Sequence, residues 1–242
     1  MRRYERSLSR LTREIATLVR AALRPHLVRA RAREDADIDP ASFLIDFGTL
    51  LLEVRRLVDR RMPRIVGRWL EDVAGASNRD IARVLRISPT DQSLGVQQAL
   101  RVAADQNVRL ISSIPDRLLD DVQRLVSQSA QDGTRVEVLA RQIEDRFSVT
   151  QSRARLIARD QTLKANSALT QARHREAGVT EYIWDASGDS RVRDMHAELD
   201  GRVFRWDDPP ITNEQGERNH PGEDYQCRCV ARPNLRRTES AA

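Results

Sequence analysis

Four side chains of the kind that bind soft or borderline metals lie near the carboxyl end of the sequence: His196, His220, Cys227 and Cys229. Three of them fall with a proline-glycine turn in the stretch HPGEDYQCRC, and the chain has no other cysteine. Four such ligands from two separated segments are the number that a tetrahedral structural zinc needs. The C-x-C spacing is tighter than the usual gap in zinc fingers. We therefore predict a candidate zinc site, with Asp189 or Asp194 as a carboxylate that could orient a ligating imidazole.

The same side chains allow other interpretations. Cys227 and Cys229 fit a strand, where free cysteines pack as small buried hydrophobes, and His220 would then cap the turn before Pro221. A disulfide across C-x-C would close a very small, strained ring. We also expect a reducing cytosol, because the amino terminus lacks the apolar core of a signal peptide. The metal site and the packed core remain the two main alternatives.

Catalysis is the third interpretation of this cluster. A histidine near a cysteine could act as base and nucleophile, but neither cysteine lies in a recognisable nucleophile motif. Residues 179–235 carry twelve acidic residues against seven arginines, a balance that disfavours a nucleic-acid substrate. We therefore expect a protein that is not an enzyme. The alternative is a metal-dependent nuclease or other hydrolase centred on the His, Cys and Asp cluster.

The composition favours long helices as the elements that position these side chains. Charged residues make up 32% of the 242 residues and aromatic residues only 4%, which is typical of solvent-exposed helices. We predict a mainly α fold, with a long helical stalk followed by a small C-terminal α+β module that contains the strands VTEYIWDAS and GRVFRW. The sequence contains no run of about eighteen apolar residues, so no membrane anchor is predicted. The predicted segments are a basic helical arm (1–33), a helical domain (42–178), the module (179–235) and a flexible tail (236–242).

Proline and glycine residues predict where the helices begin and end. Pro63 is expected to kink or restart the second helix, and Pro115 to occupy the first position of a later one. Gly133 is expected to end that helix. A short helix and then a long helix from about Thr150 are expected to follow, with Gly178 as the carboxy-terminal cap.

The amino-terminal arm is strongly basic. Residues 1–33 contain ten arginines and two glutamates, and Leu8, Leu11 and Ile15 recur between them at helical spacing. The pattern predicts an amphipathic helix whose basic face is either solvated or in contact with DNA phosphates or an acidic partner. Contacts with phosphates would not read the base sequence. The candidate DNA contacts are Arg2, Arg3, Arg6, Arg10, Arg13 and Arg20.

Longer motifs occur in a characteristic order. ISSIPDRLLDDVQRLV is followed by DGTRVEVLARQIEDRFSVTQSRARLIARDQTLKANSAL, then by AGVTEYIWDASGDSRVRDMHAELDGRVF and HPGEDYQCRC. Over about residues 105–233 this order resembles the phage Mu F-like head morphogenesis family of minor capsid proteins. The family motif falls on Trp184, Asp189, Arg191, His196, Gly201, Phe204, His220, Pro221, Cys227, Arg228 and Cys229.

The resemblance implies a structural role in a phage head. Members of this family are encoded among tailed-phage head genes, typically beside the portal gene, and enter the procapsid in few copies. We accordingly expect a minor head protein at or near the portal, with portal, capsid or scaffold proteins as partners and with double-stranded DNA contacted during packaging or ejection. Synthesis in the bacterial cytoplasm would precede its incorporation into the head interior of the virion. Zinc is the only cofactor expected.

Overall fold

A computed structural model describes residues 1–32 and 40–235 of the chain. Four long helices precede a small three-stranded sheet, which confirms the predicted mainly α fold with a C-terminal α+β module. The predicted tail, 236–242, lies outside the described residues. The helices are α1 (Arg2–Ala32), α2 (Pro40–Leu85), α3 (Leu94–Asp132), α4 (Val136–Glu176) and the short α5 (Asp194–Glu198). The strands are β1 (Glu181–Asp185), β2 (Val203–Arg205) and β3 (Val230–Pro233).

The chain forms two compact units that alternate along the sequence. The first comprises Met1–Gly67 and Asn107–Ala158, and the second comprises Arg68–Gln106 and Arg159–Ala242. Each unit therefore contains part of α2, α3 and α4. The described part of the predicted arm lies in the first unit, and the described part of the module lies in the second unit with segments of three helices. Within the described residues, no helix is long and apolar enough to cross a membrane.

In the first unit, α1 has the predicted amphipathic character. Its side chains Leu8, Leu11 and Ile15 are at most 1% exposed, as expected for one apolar helix face that packs into a core. Polar contacts also connect α1 to each of the other helices of this unit. The contact pairs are Tyr4 with Asn107 on α3, Glu14 with Arg61 on α2, and Arg20 with Glu144 on α4.

Three prolines lie inside helices rather than at their ends, and the first of them is Pro25 in α1. Pro63 is an interior residue of α2 and Pro115 of α3, so the predicted restart and the predicted first helical position were wrong. A proline in a helix interior costs about 3 kcal/mol. Around Pro115, Ile111, Ile114 and Leu118 are at most 1% exposed, and their burial offsets that cost. The segment after Gly133 is likewise a single helix, α4, and not the two helices that we expected.

In the second unit, buried polar contacts fix the last part of α4. The Nε1 atom of the buried Trp69 donates a hydrogen bond to Thr162 Oγ1 at 3.1 Å. Arg173 is only 2% exposed, and its guanidinium donates to Ser77 Oγ at 2.9 Å and to Asp91 Oδ1 at 2.6 Å. A buried guanidinium needs such partners, because an unpaired charge in the interior is very unfavourable. These contacts join α4 to the end of α2 and to the segment that follows it.

The sheet has the strand order β2-β1-β3, and both neighbouring pairs are antiparallel. On β1, Tyr182 and Trp184 are fully buried on one face, as their predicted alternation requires. Tyr182 pairs with Phe204 on β2, and Trp184 pairs with Ala231 on β3. The strand β3 was not predicted, because the short segment VARP has no alternation of large apolar residues and ends in proline.

Candidate metal centre

The turn after α5 places His196 against strand β1. The imidazole of His196 contacts the indole of Trp184 edge to face, with ring centroids 5.4 Å apart. Gly201 closes the connection back to the sheet, because its N–H donates to the carbonyl of Trp184 at 2.8 Å. Its φ of +72° lies in the left-handed region that glycine adopts most readily. The short helix, the turn and the strand thus hold one imidazole at a defined position.

The loop that contains HPGEDYQCRC is anchored on α4. The carbonyl of Pro221 accepts a hydrogen bond from Ser167 Oγ at 2.6 Å, and the N–H of Gln226 donates to Asp160 Oδ1 at 2.8 Å. Gly222 has a φ of +87°, and a Cβ atom there would lie 3.1 Å from the Cβ of Ser167. Its N–H donates to the Sγ atom of Cys227 at 3.4 Å. Only glycine fits this close approach without strain, and the approach directs one N–H at a cysteine sulfur.

Three of the four predicted metal ligands come together. The nitrogen of His196 and the sulfurs of Cys227 and Cys229 lie within 4.8 Å of one another, and all three side chains are buried. Both cysteines are free thiols, so the disulfide interpretation does not apply to this structure. They also belong to the apolar core of the module, beside Trp184. The two cysteines lie in the loop that leads into β3 and not on a strand, so the expected strand position was wrong. They are nevertheless packed in the core, and with His196 they form a set of three candidate ligands that face one another.

The distances within the cluster match those around a tetrahedral zinc ion. The Nδ1 atom of His196 lies 3.5 Å from the Sγ of Cys227 and 3.6 Å from the Sγ of Cys229. A Zn–S bond of about 2.3 Å and a Zn–N bond of about 2.0 to 2.1 Å at the tetrahedral angle place sulfur and nitrogen about 3.6 Å apart. Both distances suit one ion shared by the three side chains, and both also lie in the range of a hydrogen bond that involves sulfur.

The second ring nitrogen of His196, Nε2, contacts a carboxylate that we did not predict from the sequence. Its Nε2 lies 2.9 Å from the Oδ2 of Asp224, which is itself mostly buried, and the Oδ1 of Asp224 accepts from Asn219 Nδ2 at 3.0 Å. An ionised carboxylate only accepts, so Nε2 carries a proton, and the other ring nitrogen, Nδ1, faces the sulfurs. A carboxylate that orients a ligating histidine in this way is a common feature of zinc sites.

Hydrogen bonding separates the pKa values of the two thiols. The pKa of Cys227 is lowered, chiefly by the hydrogen bond from Cys229 and further by His196 and backbone N–H groups. The pKa of Cys229 is raised, chiefly by that same hydrogen bond and also by burial. The hydrogen bond to Cys227 is the main reason that the pKa of His196 is raised. The surroundings therefore stabilise a thiolate at Cys227, the form of cysteine that binds metals.

The fourth predicted ligand, His220, lies outside this group. Its Nδ1 is hydrogen-bonded to the hydroxyl of Tyr182 at 3.0 Å, and its ring packs against Trp206 with centroids 4.9 Å apart. Burial lowers the pKa of His220, so the neutral form is favoured. His220 therefore closes the apolar core of the module and leaves three residues as the ligand set.

The carboxylates predicted to orient the imidazole have other positions. Asp189 forms two hydrogen bonds with Arg228 and lies 3.6 Å from Arg191. The pKa of Asp189 is lowered, first by the Arg228 side chain and then by the backbone N–H of Arg191. Asp194 is in the first turn of α5, and Asp224 takes the role that we assigned to Asp189 or Asp194. Asp224 lies in HPGEDYQCRC, the same motif as the cysteines, and this position was the signal by which the sequence could have identified it.

The cluster opens onto a cavity of about 280 Å³. The cavity is lined by the three candidate ligands and by four arginines, of which α4 contributes one and the module three. These arginines are Arg159, Arg191, Arg193 and Arg228. A basic cavity within a module that carries an excess of acidic residues was not predicted, because Arg159 lies far from the other three in the sequence.

The candidate DNA contacts lie on the exposed face of α1. Arg2, Arg3, Arg6, Arg10, Arg13 and Arg20 are all solvent-exposed. Arg20 is engaged by Glu144, with N–O distances of 2.7 and 2.6 Å, and the pKa of that carboxyl is lowered chiefly by this contact. The side chains of Arg10 and Arg13 make no hydrogen bond or ion pair with the described residues. The basic face predicted for residues 1–33 is thus observed over its described part.

Comparison with known proteins gives a family match over nearly half of the chain. Residues 120–232 match the model of a family described as "Phage Mu protein F like protein". The matched segment begins in α3 and ends in β3, so it includes His196, Cys227 and Cys229. The match confirms the resemblance that the order of the sequence motifs indicated.

The chain is also similar to an uncharacterized protein of Haemophilus influenzae. The two sequences are 42% identical over 160 residues, which is 66% of this chain and 34% of the relative. The chain therefore spans about a third of the length of the curated relative that it matches. No solved structure matches the chain.

Proposed function

Because residues 120–232 match the Phage Mu protein F like family, we propose that the chain is a structural, minor component of a phage head. In this role it associates with portal, capsid or scaffold proteins inside the particle and catalyses no reaction. The family match is the observation that carries the proposal. The matched segment includes the end of the helical part and nearly all of the module, so the proposed role concerns this region first.

The proposal includes zinc as a structural ion of the module. His196 Nδ1, Cys227 Sγ and Cys229 Sγ would be its ligands, and Asp224 would hold His196 in the ligating tautomer. Zinc would supply a crosslink between α5 and the loop before β3. The burial of the three ligands supports a structural rather than an exchangeable site.

The exposed arginines of α1 support a contact with packaged DNA. Arg10, Arg13 and Arg24 are exposed and have no partner among the described residues, so their charge is available to phosphates. The contact would be independent of the base sequence, because it involves only the phosphate backbone.

Particles that contain the protein would test the structural role. We expect mass spectrometry of purified heads from the encoding host to detect the chain at few copies per portal, and the portal protein to co-purify with it from lysed heads. Deletion of the gene should reduce the yield of filled heads, and a plasmid copy should restore it. Absence of the chain from purified particles, together with an unchanged yield of filled heads in the deletion strain, would overturn the proposal.

One observation favours a second function, a metal-dependent hydrolase. Three protein ligands would leave a fourth position of a bound zinc open, as in catalytic zinc sites, and the three side chains line a cavity. However, the carboxylates nearest to the cluster are both engaged, Asp224 by His196 and Asp189 by Arg228, so neither is free to act as a general base.

The two functions can be separated by an activity assay. Purified protein would be incubated with duplex and single-stranded DNA in the presence of zinc, magnesium or manganese. We expect no cleavage. Cleavage that is lost in His196→Ala protein with an unchanged circular dichroism spectrum would support the hydrolase and contradict the structural function.

A further inference from the structure

The cavity beside the cluster concentrates positive charge. Four arginine side chains line it, and no carboxylate lines it among the residues that the structure describes. Asp189, which lies just outside, pairs with Arg228 and is the nearest compensating charge for Arg191 as well. One carboxylate thus offsets several guanidinium groups, although the module as a whole carries more acidic residues than arginines. This local reversal of charge is typical of a site that attracts an anion.

The arginines are held at defined positions by contacts that leave donors free. Arg228 uses two N–H groups on Asp189, and Arg193 uses one on the carbonyl of Tyr225 at 2.6 Å. A guanidinium has five N–H donors, so both side chains retain unused ones. Arg159 is half-buried and makes no hydrogen bond or ion pair with any described residue. Its guanidinium donors are therefore available to a ligand that enters the cavity.

We propose that this cavity binds a phosphate group, with Arg159 and Arg193 as its principal donors and Arg191 and Arg228 as supporting charges. Guanidinium groups suit phosphate because their planar fork can donate two parallel hydrogen bonds to its oxygens. Several arginines around one cavity match the tetrahedral arrangement of phosphate oxygens better than the planar arrangement of a single carboxylate. The inference deepens the proposed function, since it adds a ligand class at the same site.

The volume of the cavity agrees with a ligand that carries a phosphate group. Sites for drug-sized ligands typically have volumes of about 300 to 1,000 Å³. This cavity, at about 280 Å³, suits a phosphate with a small organic group attached, or one phosphate of a nucleic-acid backbone. His196, Cys227 and Cys229 line the same cavity, so an ion held by them would add its charge to that of the arginines.

Calorimetric titration of the full chain tests the proposal. The ligands are inorganic phosphate, adenosine monophosphate and a short duplex oligonucleotide, each at low ionic strength. The proteins are the wild type, Arg159→Gln, Arg193→Gln and the matched control Arg232→Gln. Arg232 lies in the same module and pairs with Asp185 at 3.0 Å, but it does not line the cavity. Zinc content and circular dichroism are measured on the same samples, so that loss of the fold is recognised.

We expect at least one phosphate-bearing ligand to bind with a stoichiometry of one. Arg159→Gln and Arg193→Gln should each weaken binding by about tenfold to a hundredfold, the usual range for a hydrogen bond to a charged group, and Arg232→Gln should leave it unchanged. Binding of the oligonucleotide alone would identify a nucleic-acid backbone as the source, and binding of the small ligands would identify a free phosphate or nucleotide. Absence of binding, or equal binding by Arg159→Gln and Arg232→Gln, overturns the proposal.

These outcomes are distinct from those of the proposed function. Stoichiometric zinc without phosphate binding would refute the phosphate site and leave the zinc-ordered module in place. Phosphate binding that depends on Arg159, in protein that contains no zinc, would support the phosphate site and refute the zinc-ordered module. The presence of the chain in purified heads is measured separately and depends on neither result.

Discussion

The Oδ2 atom of Asp224 lies 2.9 Å from the Nε2 atom of His196, at the point where the last loop of the module meets α5. This contact joins two segments that are 28 residues apart in the chain. It places a proton on Nε2 and turns Nδ1 towards the two cysteine sulfurs. The ligand geometry of the cluster therefore depends on a residue that is not itself a ligand.

Replacement of Asp224 should weaken zinc binding without removing a ligand. We expect Asp224→Asn to lower the zinc affinity by about tenfold to a hundredfold, because an amide holds the imidazole in the ligating tautomer less firmly than a carboxylate does. Competition with a chromogenic chelator would measure the affinity. Asp189→Asn, the same chemical change at a carboxylate that contacts Arg228 instead, is the matched control and should leave the affinity unchanged. Equal effects of the two variants would contradict the role of Asp224.

Metal content should separate the three ligands from the fourth histidine. We expect one zinc per chain in the wild type and loss of that zinc in Cys227→Ser and Cys229→Ser, since each removes a thiolate ligand. His220→Gln should retain zinc, because His220 is bonded to Tyr182 and is not a member of the cluster. Elemental analysis of dialysed protein checks this. Loss of zinc in folded His220→Gln protein would instead support the original four-ligand prediction.

Acid should destabilise the second unit through His174. Burial lowers the pKa of His174 to about 4, whereas the unfolded chain has the usual value of 6.5. Between these values the unfolded state binds the extra proton, so stability is complete above about pH 6.5 and falls as the pH decreases towards 4. The loss at the lower end is on the order of 3 kcal/mol.

Urea unfolding at pH 7.5 and pH 5.0 measures this dependence. His174→Asn should show a smaller difference between the two pH values than the wild type, because the titrating group is gone. A chelator in all samples keeps metal release from contributing to the comparison. An undiminished difference in the variant would show that other groups cause the acid sensitivity.

The basic face of α1 should determine the salt dependence of DNA binding. The slope of log K against log salt is about −0.9 per phosphate contact, so Arg10→Gln, Arg13→Gln and Arg24→Gln together should make it shallower by up to about 3. Fluorescence anisotropy with a labelled duplex at several salt concentrations gives the slope. The control replaces Arg79, Arg83 and Arg86 with glutamine, which removes the same charge from exposed positions of the second unit. Identical slopes for the two triple variants would exclude α1 as the contact.

The buried guanidinium of Arg173 should be important for stability. Arg173→Met removes charged hydrogen bonds to Ser77 and Asp91, and we expect the free energy of unfolding to fall by on the order of 3 kcal/mol. Arg83→Met is the control, because Arg83 is exposed and should change stability by less than about 0.5 kcal/mol. Urea denaturation measures both. A fall of similar size in the two variants would contradict the role of the buried contacts.

Local patterns in the sequence determined the helices and the first strand. The spacing of Leu8, Leu11 and Ile15 predicted the buried face of α1, and the alternation of Tyr182 and Trp184 predicted β1. Both patterns depend only on the periodicity of a helix or a strand, so neighbouring residues suffice to reveal them. The order of motifs in the C-terminal half also indicated the family, which the match over residues 120–232 confirms.

The tertiary structure decided what local patterns could not. Pro115 is inside α3 because long-range burial around it outweighs its cost to the helix. The sequence named His196, Cys227 and Cys229 as candidate ligands, but only the folded chain separates His220 from them, adds Asp224 and brings Arg159 to the same cavity. Such contacts join segments that are distant in the sequence, and their distances depend on how the sheet, α5 and α4 pack together rather than on residue spacing.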